Sequence, residues 1–179
     1  MHLTFMKRLL LALWLCAVLA NPVLAENLTF FGPGYGIGLS QPKGWLESQP
    51  SFAVVLFHPK GTTPDNSPVV IYARVVAKSE VNVKTVSELN KLDVDGMKNE
   101  WPRIASHAIG SARSVDGVEG SLYEFTGGRF HEFVAYFDQG NTVTLIVLSK
   151  EGFSPMPVEI KTWKALFASY RWLPELSGN

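Results

Sequence analysis

The sequence predicts an α+β protein with a central antiparallel β-sheet flanked by helices, preceded by a cleavable signal peptide. Short apolar runs rich in β-branched residues, bounded by Gly, Pro, Asn and Asp, indicate strands. Glycine-rich connections of two to four residues separate the last three runs, and such short links join antiparallel neighbours. Two further segments show helical periodicity, so strands and helices are segregated as in α+β folds.

The first 25 residues have the pattern of a secretory leader. Lys7 and Arg8 precede an unbroken apolar run over residues 9–19, and a Val23-Leu24-Ala25 segment follows. We predict cleavage between Ala25 and Glu26, so that 1–25 is the signal peptide and 26–179 forms one domain.

The alternatives for this leader are a membrane anchor, a lipoprotein and a different start. The apolar run of 11 residues would span about 16 Å as a helix, roughly half a bilayer core, so no stable transmembrane segment is expected after cleavage. Lipid attachment at Cys16 needs a small preceding residue, and Leu15 is large. Translation starts at either Met1 or Met6.

Composition excludes several classes of protein. The 179 residues include 16 basic and 16 acidic side chains, 18% charged residues, 46% hydrophobic residues and one cysteine. A neutral chain offers no phosphate-neutralising surface, so we expect no nucleic-acid partner. This apolar content argues against disorder. Since Cys16 leaves with the leader, the mature chain has no disulfide, cysteine nucleophile or thiolate metal site.

The first strands of the mature chain are predicted over 35–41, 52–58 and 69–77. The run over 52–58 is apolar at nearly every position, which indicates a strand covered on both faces. The four glycines between Gly32 and Gly38 lack phosphate-loop spacing, and their alternation is typical of a bulge or a close backbone approach.

The first helix is predicted from a capping motif at its start and from apolar residues that recur along one face. Thr85 and Glu88 have capping-box spacing, and Pro102 marks the end. Apolar residues recur between them at helical offsets: Val86, Leu89, Met97 and Trp101.

Three strands, 119–126, 129–137 and 142–149, are predicted to form a meander. A second helix is expected to start near Ser154 and Pro155. Its apolar face would consist of Trp163, Leu166, Phe167 and Tyr170.

No catalytic, cofactor-binding or metal-binding residue is predicted. His58, His107 and His131 lie on different segments, and Glu132 beside His131 should point to the opposite face of a strand. Asp93 and Asp95 diverge on a helix, and we interpret them as part of a solvated face. No Gly-x-Ser-x-Gly elbow is present, and the dipeptides Gly110-Ser111 and Gly120-Ser121 are interpreted as turn edges.

Aromatic residues near the mature N-terminus are the remaining signal. Phe30, Phe31 and Tyr35 precede or begin the first predicted strand. We favour the interpretation that these three rings pack beneath the edge of the sheet. The alternative is an exposed docking patch for a protein partner, since aromatic residues are enriched at interfaces.

The order of these features resembles the PsbP-like superfamily, which includes periplasmic DcrB-type proteins. The resemblance rests on Gly36-Ile37-Gly38-Leu39, the Pro42-Lys43-Gly44-Trp45 turn, the capped helix from Thr85, the meander and the closing Phe167-Ala168-Ser169-Tyr170-Arg171. It implies an α-β-α sandwich and a non-enzymatic role as an assembly factor, adaptor or extrinsic subunit, with no catalytic residue to transfer.

The first hypothesis is that the chain is an exported accessory protein, periplasmic or secreted, that acts through a protein partner in the cell envelope. The second hypothesis is a carrier of a small molecule or lipid in a pocket between sheet and helices. The third is a hydrolase whose site is assembled from distant segments.

Overall fold

The computed structural model describes residues 26–152 and 157–174. Within these ranges, ten strands and two helices follow one another along the chain. They are β1 (Asn27–Gly32), β2 (Tyr35–Ser40), β3 (Trp45–Ser48), β4 (Val55–Pro59), β5 (Val69–Ala77), α1 (Val86–Met97), β6 (Ala105–Arg113), β7 (Glu119–Thr126), β8 (Phe130–Asp138), β9 (Thr142–Glu151), α2 (Pro157–Ala168) and β10 (Arg171–Trp172).

The strands form two sheets in which every pair is antiparallel. The larger sheet has seven strands in the order β3-β4-β5-β9-β8-β7-β6, and the smaller has the order β1-β2-β10. The last four strands of the large sheet are a continuous meander. The predicted α+β class with a central antiparallel sheet is confirmed.

The large sheet is covered on both faces, because strand alternation sends apolar side chains in both directions. From β9, Ile146 and Leu148 join the core formed with α2 and the small sheet. The alternate residues of the same strand, Leu145 and Val147, enter the core beneath α1. Two helices therefore lie on opposite faces of one sheet, which is the arrangement of an α-β-α sandwich.

Helix α1 begins as the capping-box spacing predicts. The Glu88 amide donates to Thr85 Oγ1 at 3.2 Å, and the Thr85 amide donates to Glu88 Oε2 at 3.3 Å. The helix ends at Met97, earlier than the predicted stop at Pro102. A proline disfavours helical geometry in the residue before it, and Trp101 instead packs edge-on against Phe130 with ring centroids 6.4 Å apart.

Two sequence-based interpretations of the meander are wrong. Gly110-Ser111 and Gly120-Ser121 lie inside β6 and β7, where Ser111 pairs with Ser121, and are not turn edges. Strand β6 escaped prediction because it is a sheet edge whose one buried residue is Ala112, so it lacks apolar alternation. Its register shifts between Ala108 and Gly110, where Gly110 has a φ of 140°.

Other boundaries differ by a few residues. The buried strand predicted over 52–58 is β4, which begins at Val55, while the strand predicted over 69–77 matches β5. The predicted start of the second helix at Ser154 and Pro155 lies outside the described residues, and α2 is described from Pro157.

The predicted leader, residues 1–25, also lies outside the described residues. In the part of the chain that the structure describes, neither helix is long and apolar enough to cross a bilayer. The signal peptide and the single domain over 26–179 stay predictions.

Candidate functional site

The predicted partner residues occupy different environments. Phe30 is buried with 7% exposure and belongs to the core, whereas Phe31 is 58% exposed. Tyr35 is partly buried against the same core, and burial raises the pKa of its phenol. Strand alternation explains the difference, because Phe30 and Phe31 are neighbours on β1 and point to opposite faces. Phe30 is therefore unavailable to a partner, and Phe31 is the exposed ring of the three.

Phe31 lies on the outer face of the small sheet beside a close backbone approach. A Cβ on Gly36 would be 3.0 Å from the Leu173 carbonyl oxygen and 3.2 Å from Phe31 Cδ1. The Leu173 amide donates to the Gly36 carbonyl at 2.9 Å. The close approach predicted for these glycines is confirmed at Gly36. We call Phe31, Gly36 and Leu173 the outer patch.

The predicted cleavage pair straddles the start of the described chain. Ala25 lies outside the described residues. Glu26 is the first described residue, and its carbonyl accepts a hydrogen bond of 2.8 Å from the Gln41 amide.

The histidines do not converge. His58 is buried, with Nδ1 3.2 Å from Thr62 Oγ1, and His107 is exposed on β6. His131 Nε2 lies 2.6 Å from Glu124 Oε1. Across residues 26–152 and 157–174, no three histidine, cysteine, aspartate or glutamate side chains are grouped so that they can hold a metal ion.

A polar cluster lies beneath α1, where the sequence predicts only apolar contacts. The Tyr136 hydroxyl donates to Asp93 Oδ2 at 2.8 Å, and the Ser106 hydroxyl donates to Asn90 Oδ1 at 2.7 Å. Asn90 is 7% exposed, and its side chain also interacts with Tyr136, which links the two hydrogen-bonded pairs into one cluster.

The interpretation of Asp93 as part of a solvated helix face is wrong. Asp95 fits that interpretation, since it is paired with Lys91 and Lys98. Asp93, however, lies four residues after Leu89 and four before Met97, in the middle of the apolar stripe. That spacing is the signal in the sequence that places Asp93 against the sheet.

Glu132 lies at the other end of this region and lines a cavity. It is on the α1 face of β8, opposite to His131, so the predicted divergence of the two side chains is confirmed. The cavity measures about 160 Å³. Its lining is mostly aromatic: Tyr72, Met97, Trp101, Ile104, Phe125, Phe130 and Glu132. We call it the α1 cavity.

The electrostatics of the two acids beneath α1 are unusual for a sheet–helix interface. Burial raises the pKa of the Glu132 carboxyl above its usual range, and the nearby Asp93 adds to this, while a hydrogen bond with Ser149 and the charge of Arg74 oppose it. Burial also raises the pKa of Asp93, against the Tyr136 hydrogen bond and Arg74. Neither acid forms an ion pair with another described residue. Partly buried acids with raised pKa values beside a cavity mark a candidate functional site.

The raised pKa of Glu132 predicts a pH-dependent effect of Glu132→Gln on stability. The pKa of Glu132 in the folded protein exceeds the unfolded value of about 4.3, so the folded protein holds the carboxyl proton more tightly than the unfolded chain does. The protein therefore loses stability as the pH rises from the unfolded pKa to the folded pKa. The glutamine variant lacks this loss. We expect it to be more stable than the parent at neutral pH, with the difference vanishing below the unfolded pKa.

Urea unfolding at a series of pH values measures this difference. Glu119→Gln is the control, since Glu119 is exposed on β7 and pairs with Arg113 at the surface, and we expect a change within about 0.5 kcal/mol. A Glu132→Gln variant that is less stable than the parent by the same amount at every pH would contradict the argument.

The fold of this chain is PsbP-like, which confirms the predicted resemblance at the level of the fold. The solution structure of cyanobacterial PsbP (CyanoP) from Synechocystis sp. PCC 6803 is similar over 85% of this chain and 95% of that chain, with a TM-score of 0.50 and 12% sequence identity. A crystal structure from Bacteroides thetaiotaomicron VPI-5482 aligns with 80% of this chain and 47% of that chain, with a TM-score of 0.37 and 13% identity.

Sequence comparison adds no closer relationship, since the chain matches no family profile and no curated protein. At 12% identity the likeness to cyanobacterial PsbP establishes the fold. The roles of individual residues follow from their own geometry.

Proposed function

We propose that the chain is an exported accessory protein that acts through a protein partner in the cell envelope and has no catalytic activity of its own. The PsbP-like fold is the observation that carries this proposal, because the resemblance implies adaptors, assembly factors and extrinsic subunits. The leader pattern over residues 1–25 supports export, with the periplasm as the proposed compartment.

The chemistry of the described side chains supports a non-enzymatic role. A hydrolase needs a nucleophile within hydrogen-bond reach of a base. In residues 26–152 and 157–174, His58 Nδ1 lies 3.2 Å from the Thr62 hydroxyl, but that hydroxyl donates its proton to the Pro59 carbonyl at 2.7 Å. His131 pairs with the Glu124 carboxylate, which is not a nucleophilic hydroxyl. Fold and side-chain chemistry therefore favour binding over catalysis.

The outer patch is the surface that we propose for the partner. Phe31 has 58% of its surface exposed although it is a large aromatic residue, and aromatic side chains are over-represented where proteins bind one another. Phe31 and Leu173 cover the buried Gly36, so the exposed surface of the Phe31 ring is the part of the patch that a partner can contact.

Photo-crosslinking tests this surface in the full chain. We expect p-benzoylphenylalanine at position 31 to give one discrete adduct with an envelope protein when the chain is expressed with its leader in the source cells. The control position is Val158, which is 62% exposed. It lies in a groove with Ser40 and Pro42, at the other end of β2 from Gly36. Equal adducts from positions 31 and 158 would contradict a specific docking surface.

The carrier hypothesis also has an observation in its favour, which is the α1 cavity between the sheet and a helix. Ligand sites are concave and mostly apolar, with a few polar groups that fix orientation. A carrier function is compatible with the partner proposal and is tested separately.

A further inference from the structure

We propose that the α1 cavity binds a small organic cation, specifically an alkylated ammonium group, between its aromatic walls and the carboxylate of Glu132. This inference deepens the carrier hypothesis and does not depend on the proposed protein partner. It rests on the volume of the cavity, its four aromatic side chains and its single carboxyl group.

Four aromatic side chains line the cavity: Tyr72, Trp101, Phe125 and Phe130. The walls are held by packing at the turn after β7, where a Cβ on Gly128 would lie 3.2 Å from Ile104 Cδ1 and 3.3 Å from Trp101 Cε3. Arg129 already places its guanidinium carbon 5.2 Å from the centroid of the Phe130 ring. Arg129 is not part of the cavity lining, so this contact lies outside the cavity. Ammonium groups with alkyl substituents bind such aromatic enclosures through the ring quadrupoles.

The charge of the lining residues favours a positively charged ligand. Glu132 is the one acidic side chain of the described lining, which contains no lysine, arginine or histidine. Ser149 bonds to its carboxyl, but no ion pair to Glu132 forms within the described residues. Glu132 would repel an anion, and a neutral apolar ligand would desolvate its carboxylate further without adding a positive charge. A cation gains from both the rings and the carboxylate.

The volume limits the size of the bound group. The cavity measures about 160 Å³, and a protein cavity of about 150 Å³ accepts benzene, so the group contains roughly six non-hydrogen atoms. A trimethylammonium group with one further carbon is of this size. Such a group occurs on free small molecules and on lipid headgroups.

Calorimetric titration of the full mature chain, Glu26 to Asn179, with choline tests the inference. Its neutral isostere 3,3-dimethylbutanol has the same shape without the charge. We expect saturable choline binding, and binding of the isostere that is weaker by about tenfold or more. The methyl resonances of Met97 and Ile104 should shift with choline, because both side chains line the cavity.

Variants locate the binding site. Glu132→Gln should weaken choline binding by about tenfold or more, and Phe130→Leu should weaken it severalfold by removing one ring. Glu119→Gln, which removes the same charge from an exposed position on β7, should bind as the parent does. Circular dichroism of each variant confirms folding.

Vesicles distinguish the two sources of the ligand. Binding of free choline assigns the cavity to a soluble cation. Binding confined to phosphatidylcholine vesicles, and lost in Glu132→Gln, assigns the same ammonium group to a lipid headgroup. Absence of binding to both, equal binding of choline and its isostere, or unchanged binding by the Glu132→Gln variant would overturn the proposal. None of these results bears on the cross-linking at position 31.

Discussion

Replacing Trp163 by alanine should remove about 3–5 kcal/mol from the free energy of unfolding. The indole is fully buried, and its Nε1 donates a hydrogen bond of 2.8 Å to the Ile146 carbonyl of β9. Its ring centroid lies 4.9 Å from that of Phe167 and 5.8 Å from that of Phe133. The substitution therefore leaves a cavity where α2 meets the sheet and removes a buried hydrogen bond. Since domains are stable by about 5–15 kcal/mol, the variant should be close to unfolding.

Urea denaturation followed by circular dichroism measures this loss. Trp45→Ala is the matched control, because the Trp45 ring on β3 is only partly buried at the edge of the same core. Its loss should be smaller by about 1 kcal/mol or more. Equal losses for the two variants would contradict the expectation that the loss depends on the full burial and the hydrogen bond of the Trp163 indole.

The second large effect is expected for Gly127→Ala at the turn between β7 and β8. Gly127 has a φ of 89°, and an added Cβ would fall far inside contact distance of the Arg103 carbonyl oxygen. Gly140, in the turn between β8 and β9, has a φ of 81° but no atom within 4 Å of an added Cβ. Both alanines incur the left-handed backbone strain of about 1–2 kcal/mol, and only Gly127→Ala also forces the Arg103 backbone away.

The difference between the two alanine variants isolates this close approach. Gly127→Ala should be less stable than Gly140→Ala by about 1–3 kcal/mol, the usual cost of overpacking. It should also broaden the Ile104 methyl resonance, because Ile104 follows Arg103 and lines the α1 cavity. Equal thermal midpoints for the two variants would contradict this prediction, because they would show that the Arg103 backbone can move away without a loss of stability.

Much of this fold follows from local pattern. Residues 69–77 are predicted and observed as a strand because they are β-branched and central in the sheet. Helix α1 starts where its capping box predicts, since the cap depends on two residues three positions apart. Such elements are determined by nearby residues.

Elements that depend on distant partners were not predictable in this way. Strand β10 has two residues and exists because Arg171 and Trp172 pair with β2. Strand β6 is a polar edge held by β7. Neither segment has an apolar period of its own, so only the assembled sheets define them.

The candidate site was missed for a related reason. Glu132 follows His131 on a strand, and alternation shows only that the two residues point to opposite faces. Which face is closed by α1 depends on the packing of that helix. The position of Asp93 within the apolar stripe was the available signal, and its acidic character led to the opposite interpretation.

The mass of the adduct formed at position 31 tests the central claim most directly, because it reports processing and partnership together. We expect a chain that begins at Glu26, recovered outside the cytoplasm and joined to one protein of reproducible mass. An unprocessed chain that still begins at Met1 or Met6 in the cytosol, with adducts no different from those at position 158, would contradict it.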